Sequence, residues 1–204
     1  MKVGIIGSGG REHSICHTLN SSKRVKQIYC FPGNAGTTKI AENISLNLEN
    51  FSELKDFILL NTIDLIIVGP EKPLVDGLVD FLEANNIKVF GPNKLASQLE
   101  GSKIFTKNLC EKHKIPTAKS GIFQNVHDAT QFIKKSKFPL VVKADGLASG
   151  KGVYICEKIE DAEIAIHEIF EGKFGEAKNL LVEEFLKGEE MSYFIITDGK
   201  KIIK

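Results

Sequence analysis

Short apolar runs alternate along the chain with longer stretches in which apolar positions recur every three or four residues, a pattern that predicts strands separated by helices. Met1 to Ile6, Gln27 to Phe31, Asp64 to Val68 and Lys88 to Phe90 read as strands. Helices are expected over Ile15 to Leu19, after the turn GSGGREHS, over Leu74 to Ala84, and over Leu95 to His113, the last ended by Ile115 and Pro116. Strands alternating with helices imply a parallel sheet with right-handed crossovers. The turns GSGG, PGNAG, GPEKP and GPN then leave the carboxyl ends of strands, where open α/β sheets bind ligands. Gly9, Gly10, Arg11, Asn34 and Glu71 become candidate contacts there, although Asn34 and Glu71 serve equally well as turn or cap residues.

A second unit is expected from about Gly121. It holds a short helix opened by Asp128, the strand Leu140 to Val142, a β-rich run Val153 to Cys156, a helix from Glu160 to Phe170 and the strand Asn179 to Phe185. Met191 to Thr197 reads as a further strand, turning at Asp198 and Gly199 into a return strand from Lys200 to Ile203. A strand so near the last residue predicts a fragment of a longer protein.

The candidate chemistry is concentrated between Phe138 and Cys156, in FPLVVKADGLASGKGVYIC. The buried strand ends on Lys143, whose ammonium is costly there without an anion beside it. Gly146, Ser149, Gly150, Lys151 and Gly152 then form a loop whose bare N–H groups can cradle phosphate oxygens, with Lys151 adding charge. It is not a Walker A loop, because Gly152 follows Lys151 and a strand, not a helix, comes next. By itself the loop also fits an ordinary glycine-rich hairpin. Downstream, Leu180 to Val182 lead into Glu183, Glu184, Phe185, Leu186 and Glu190, where carboxylates and backbone groups can meet an adenine or a ribose, or simply face solvent. Lys103 and Lys107 lie four apart on one helical face, a spacing also typical of a solvated surface.

The first turn resembles a dinucleotide-binding fingerprint only in part. The third glycine position falls on Glu12, and no acidic residue follows the second strand to hold a ribose diol, which argues against NAD. Gly7, Gly9, Gly10 and Arg11 remain candidates for another phosphate, or the glycines merely permit a tight turn.

Composition narrows the classes of function. Lys and Arg number 27 against 26 Asp and Glu, so there is no global basic field for nucleic acid. No apolar run approaches the roughly 20 residues of a membrane span, and no signal-peptide pattern opens the chain. The 4 cysteines, at positions 16, 30, 110 and 156, lack metal-ligand spacing and read as small buried hydrophobes in a reducing cytoplasm.

Taken together, GSGGREH, PGNAGT, VGPEKPL, FGP, QLEGSKIFTK, IPTA, VVKADGLASGKGV and VEEFLKGEE resemble the N-terminal half of the phosphoribosylamine-glycine ligase family, in the ATP-grasp superfamily. The resemblance implies an α/β fold: a Rossmann-like open parallel sheet (residues 1–120 with a linker helix), an α+β ATP-grasp lid subdomain (121–187) and the start of a second subdomain (188–204). It implies that Lys103 and Lys143 contact nucleotide phosphates, with Lys143 also near the adenine. Ser149, Gly150, Lys151 and Gly152 would close over the β- and γ-phosphates. Glu183 and the backbone of Glu184, Phe185 and Leu186 would read adenine, and Glu190 would hold the ribose. Gly9, Gly10, Asn34 and Glu71 would line the phosphoribosylamine site. The implied chemistry is ATP-dependent joining of glycine to 5-phosphoribosylamine, with Mg²⁺ or Mn²⁺ held by residues beyond 204 and no catalytic role for the histidines. A cytoplasmic monomer is expected, and this stretch alone is expected to bind ATP without turnover. Other ATP-grasp ligases, biotin-carboxylase-like or aminoimidazole-ribonucleotide-carboxylase-like, and a non-catalytic nucleotide-binding module are the alternatives.

Overall fold

The structure, a computed structural model, describes residues 1–147, 151–175 and 178–203. The chain divides into two compact units, Met1–Pro116 with Ala144–Lys151, and Thr117–Lys143 with Gly152–Lys204.

The first unit is built on β1 (Lys2–Gly7), β2 (Gln27–Pro32), β3 (Glu42–Asn43), β4 (Leu65–Val68) and β5 (Val89–Phe90), in the order β3-β2-β1-β4-β5. Every pairing in this sheet is parallel. The strand order reverses between β1 and β4, which makes the carboxyl end of β1 the switch point where such sheets take ligands. Side chains alternate across β1. Val3 and Ile5 pack with Cys16, Ile28 and Cys30 on one face, and Ile6 packs with Phe31, Leu54, Ile58, Ile66 and Leu82 on the other.

Helices α1 (Gly10–Asn20), α2 (Phe51–Leu60), α3 (Glu71–Asp76), α4 (Leu78–Ala84), α5 (Lys94–Gly101) and α6 (Lys103–His113) connect and follow these strands. All three helices expected in this unit come out differently. α1 starts at Gly10 and not at Ile15, because the Glu12 carboxylate accepts the Gly9 N–H at 2.6 Å and closes the first turn. The single helix expected over Leu74 to Ala84 starts earlier, at Glu71, and is broken at Gly77, whose φ of 98° is left-handed and ends α3. The helix expected over Leu95 to His113 is broken at Ser102, which is extended (φ −141°, ψ 116°) and caps α6 by accepting the Phe105 N–H at 3.1 Å. α2 has no counterpart among the expected elements, although Leu54 and Ile58, one turn apart, are its buried positions.

The second unit contains β6 (Ser120–Phe123), α7 (Val126–Ile133), β7 (Leu140–Ala144), β8 (Val153–Cys156), α8 (Ile159–Phe170) and β9 (Leu180–Glu184), with a sheet order of β6-β9-β7-β8. β6 and β9 are antiparallel, as are β7 and β8. Ala129 and Ile133 of α7 and Ala162, Ala165, Ile166 and Ile169 of α8 are buried, as are Leu140, Val142, Leu180, Leu181 and Val182 of the sheet. Asn125, not Asp128, caps α7: its side chain accepts the Asp128 N–H at 2.9 Å and donates to the Asp128 carboxylate at 2.8 Å.

The strand expected over Met191 to Thr197 shrinks to β10 (Ile196–Thr197), paired antiparallel with β11 (Ile202–Ile203). Among the described residues, 185–195 have no ladder partner, and an extended run without one does not form a strand. The turn at Asp198 and Gly199 is present, and the Asp198 carboxylate accepts from the Lys200 and Lys201 N–H groups at 2.9 and 2.7 Å.

Candidate functional site

In the first unit, the carboxyl ends of β1, β2 and β4 surround a cavity of about 480 Å³, lined by the segment Gly7 to Glu12 and by Pro32, Leu48, Pro70 and Glu71. Gly9, Gly10, Arg11 and Glu71 are thus brought together. Arg11 donates to the Gly69 carbonyl at 2.6 Å and, through both terminal nitrogens, to the Glu71 carboxylate at 3.1 and 3.2 Å. That ion pair is 61% and 44% exposed, so solvent screens it and a ligand anion can displace the carboxylate at small cost.

Glu12 forms the floor of the cavity and is 5% exposed. It is accommodated by a glycine at the end of β1 and one just after β4: a Cβ on Gly7 or on Gly69 would lie 2.7 Å from Glu12 Cδ. The residue that spoils the dinucleotide fingerprint therefore occupies the space its third glycine would leave open. Its signal in the sequence was its place three residues after Gly9, the spacing of a capping carboxylate.

Asn34 does not line the cavity. Its amide donates to the Ser8 carbonyl at 2.9 Å, and its carbonyl oxygen accepts the Gly36 and Thr37 N–H groups at 2.7 and 3.1 Å, tying the loop after β2 to the loop after β1. His13 lies against Gly36, where a Cβ would stand 2.6 Å from its Nδ1. Leu48 had no signal in the sequence, because it lies in a segment without periodicity.

The first unit also carries Lys103 and the stem of the glycine loop. Lys103, the first residue of α6, donates to the Gly146 carbonyl at 2.9 Å. Asp145 accepts from the Ser102 hydroxyl at 3.2 and 3.3 Å and from the Ile104 N–H at 3.3 Å. Asp145 and Ser102 are not among the expected site residues, although a serine opening a helix is a cap signature. Lys107 is half-buried one turn further along α6, and Lys151 is exposed. Ser149 and Gly150 lie outside the described residues.

In the second unit, Lys143 near the end of β7 and Glu183 near the end of β9 form an ion pair of 2.5 Å. The anion expected beside Lys143 is therefore supplied by the protein. Glu183 is buried and Lys143 is about a quarter exposed, so the pair opens to solvent from the lysine side. Glu184 is committed to the sheet edge, its N–H donating to the Lys119 carbonyl at 3.0 Å and its carboxylate accepting the Lys119 N–H at 2.9 Å. Phe185 is half-buried, while Gly152 is buried and Leu186 and Glu190 are exposed.

On β8, Tyr154 donates to Glu168 at 2.5 Å, and Glu168 pairs with Lys173 at 2.7 Å. Hydrogen bonding from Lys173 holds the Glu168 carboxyl below its usual range, and burial pushes the Tyr154 phenol up. The buried thiols of Cys16, Cys30 and Cys156 are not poised as nucleophiles. Burial pushes Cys16 up to about 12 and Cys156 up to about 11, and Cys16 lies 3.9 Å from Cys30, also raised by burial.

Comparison with known proteins matches residues 1–100 to the family "Phosphoribosylglycinamide synthetase, N domain" and residues 101–204 to "Phosphoribosylglycinamide synthetase, ATP-grasp (A) domain". The chain is 45% identical to a phosphoribosylamine-glycine ligase of Clostridium acetobutylicum, covering 100% of this chain and 49% of that one. It is 48% identical to the enzyme of the same name from Brucella melitensis, covering 98% and 47%. The crystal structure of phosphoribosylamine-glycine ligase from Thermotoga maritima superposes with a TM-score of 0.79 at 30% identity, covering all of this chain and 48% of that one. The chain spans about half the length of the curated relatives it matches.

Proposed function

This chain belongs to the phosphoribosylglycinamide synthetase family, and from that premise we propose that it supplies the ATP-handling and amine-substrate half of a cytoplasmic, monomeric ligase. The reaction is the joining of glycine to 5-phosphoribosylamine. ATP gives its γ-phosphoryl group to a glycine carboxylate oxygen, leaving ADP. The amine nitrogen then attacks the glycyl phosphate carbonyl, inorganic phosphate leaves with the C–O bonding pair, and the nitrogen loses a proton. Such chemistry needs no protein nucleophile; it needs in-line positioning and neutralisation of phosphate charge.

The observation that carries this reading is the pairing of Lys143 with Glu183. The ammonium is held near a strand end, about a quarter exposed, by a carboxylate that is itself buried. An incoming phosphate competes for the ammonium while an adenine amino group donates to the carboxylate, so each partner of the pair acquires a ligand contact when the other does. We assign the adenine end to Lys143, Glu183 and the backbone of Glu184 to Leu186, with Glu190 on the ribose. Lys103, Lys151 and the loop from Ser149 to Gly152 act on the phosphates. Gly9, Gly10, Arg11 and Glu71 bind phosphoribosylamine, with Arg11 leaving Glu71 for the 5-phosphate, and Asn34 shapes the loop beside them. Residues 121–187 act as the lid subdomain and 188–204 open the next.

Mg²⁺ or Mn²⁺, when bound, would supply charge neutralisation to the triphosphate. Among the described residues no group of three or more His, Cys, Asp or Glu side chains is placed to hold a metal ion. No helix among them is long and apolar enough to cross a membrane. The test is calorimetric titration of ATP with Mg²⁺ into the chain and its Lys143→Ala variant. Binding weakened at least about tenfold by the substitution is expected, on the order of one charge-assisted contact; equal affinities would remove Lys143 from the site.

A further inference from the structure

The glycine loop joins β7 to β8, two strands of the second unit, yet Ala144–Lys151 belongs to the first unit. What holds the stem of the loop there is Asp145. Its carboxylate accepts from the Ser102 hydroxyl at 3.2 Å and from the Ile104 N–H at 3.3 Å, the two residues on either side of Lys103. The Lys103 ammonium in turn donates to the carbonyl of Gly146, the residue after Asp145, at 2.9 Å. Three hydrogen bonds thus lock two consecutive loop residues to three consecutive residues at the start of α6. Gly146 has a φ of +90°, so the stem depends on a backbone conformation that other residues rarely adopt.

We propose that Asp145 is a positioning residue for nucleotide binding: it fixes the N-terminus of α6 to Asp145 and Gly146, so that the Lys103 ammonium is presented to the phosphates from one fixed base. Without the carboxylate, Ser102 and the Ile104 N–H lose an acceptor, and Lys103, with a long side chain of high rotamer freedom, loses the fixed base from which it reaches Gly146. Asp145 touches no substrate; its effect passes through Lys103. The inference rests on the nucleotide reading above and adds to it a residue that reading does not use.

The test uses the 204-residue chain with Asp145→Ala, Asp145→Asn, Lys103→Ala and the Lys103→Ala/Asp145→Ala double variant. Asp145→Ala is expected to weaken ATP binding about tenfold, the size of one lost charge-assisted contact, and to leave adenosine binding unchanged. A loss shared equally by ATP and adenosine would mean general damage and overturn the proposal. In the double variant the Asp145 substitution is expected to add nothing beyond Lys103→Ala, because both remove one coupled arrangement; additive losses would overturn it. Asp145→Asn, which keeps an acceptor oxygen, is expected to restore most of the ATP affinity. Hydrogen exchange without nucleotide forms an independent arm. Faster exchange at the Ile104 amide in Asp145→Ala is expected, and unchanged exchange would overturn the latch itself. An unaltered chain that takes up no ATP would overturn the nucleotide reading, and with it this role of Asp145, whatever the exchange arm returns.

Discussion

Lys143 Nζ lies 2.5 Å from the Glu183 carboxylate, with the acid buried and the base partly open to solvent. The relationship explains how a strand rich in buried aliphatic side chains tolerates an ammonium, and it makes the pair asymmetric. Removing the lysine takes this close counterion from a buried carboxylate, whereas removing the acid leaves an ammonium that can still reach water.

Lys143→Met is accordingly expected to destabilise the chain by about 2 kcal/mol, and Glu183→Gln by less. The double substitution should recover much of the loss. Urea unfolding followed by circular dichroism checks this; independent, additive effects of the two substitutions would contradict the pairing.

Glu12 fits only because Gly7 and Gly69 carry no side chain. Gly69→Ala is expected to cost about 1–3 kcal/mol through overpacking against the Glu12 side chain. Combining it with Glu12→Ala should relieve most of that crowding, at the cost of the Gly9 N–H acceptor. Denaturation midpoints of the three variants decide the matter.

Much of the first unit was legible because its information is local. Glycines and prolines mark the carboxyl ends of β1, β2, β4 and β5, and the apolar runs between them have strand length. The helix breaks were less visible. At Gly77 and Ser102 periodicity continues through the interruption, and only the left-handed φ of the one and the capping bond of the other end a helix there. The partnership of Lys143 with Glu183 spans 40 residues and depends on β7 and β9 being neighbours in the sheet, which no local pattern encodes. The sequence did show that Lys143 needed an anion. It did not show that the protein provides one.

The buried thiols set an alkaline limit. Cys16 is raised to about 12 and Cys156 to about 11, from an ordinary 9.0, by burial first. Both therefore contribute stability that is complete below the ordinary thiol value and declines as the pH rises from there through the raised values, because the unfolded chain gives up its protons first. A falling denaturation midpoint above about pH 9 is expected, less steep in Cys16→Ala. In the folded chain at pH 8, half-buried Cys110 should react with a thiol reagent well before Cys16, Cys30 and Cys156.

Asn125→Ala removes the side-chain acceptor for the Asp128 N–H at the start of α7 and is expected to cost about 1 kcal/mol. Asp128→Ala, which the sequence alone would have made the capping change, should cost less. Thermal unfolding of the two variants ranks them.

The two phosphate-binding candidates, Gly9 to Arg11 in the cavity of the first unit and the lysines 103 and 143, give the central claim its most direct test in a crystal structure of the chain with a non-hydrolysable ATP analogue and Mg²⁺. The account predicts adenine within hydrogen-bonding distance of Glu183 or the backbone of Glu184 to Leu186, and phosphate oxygens within reach of Lys103 and Lys143. A nucleotide whose phosphates occupy the cavity at Gly9, Gly10 and Arg11, with Lys143 still paired only to Glu183, would contradict it.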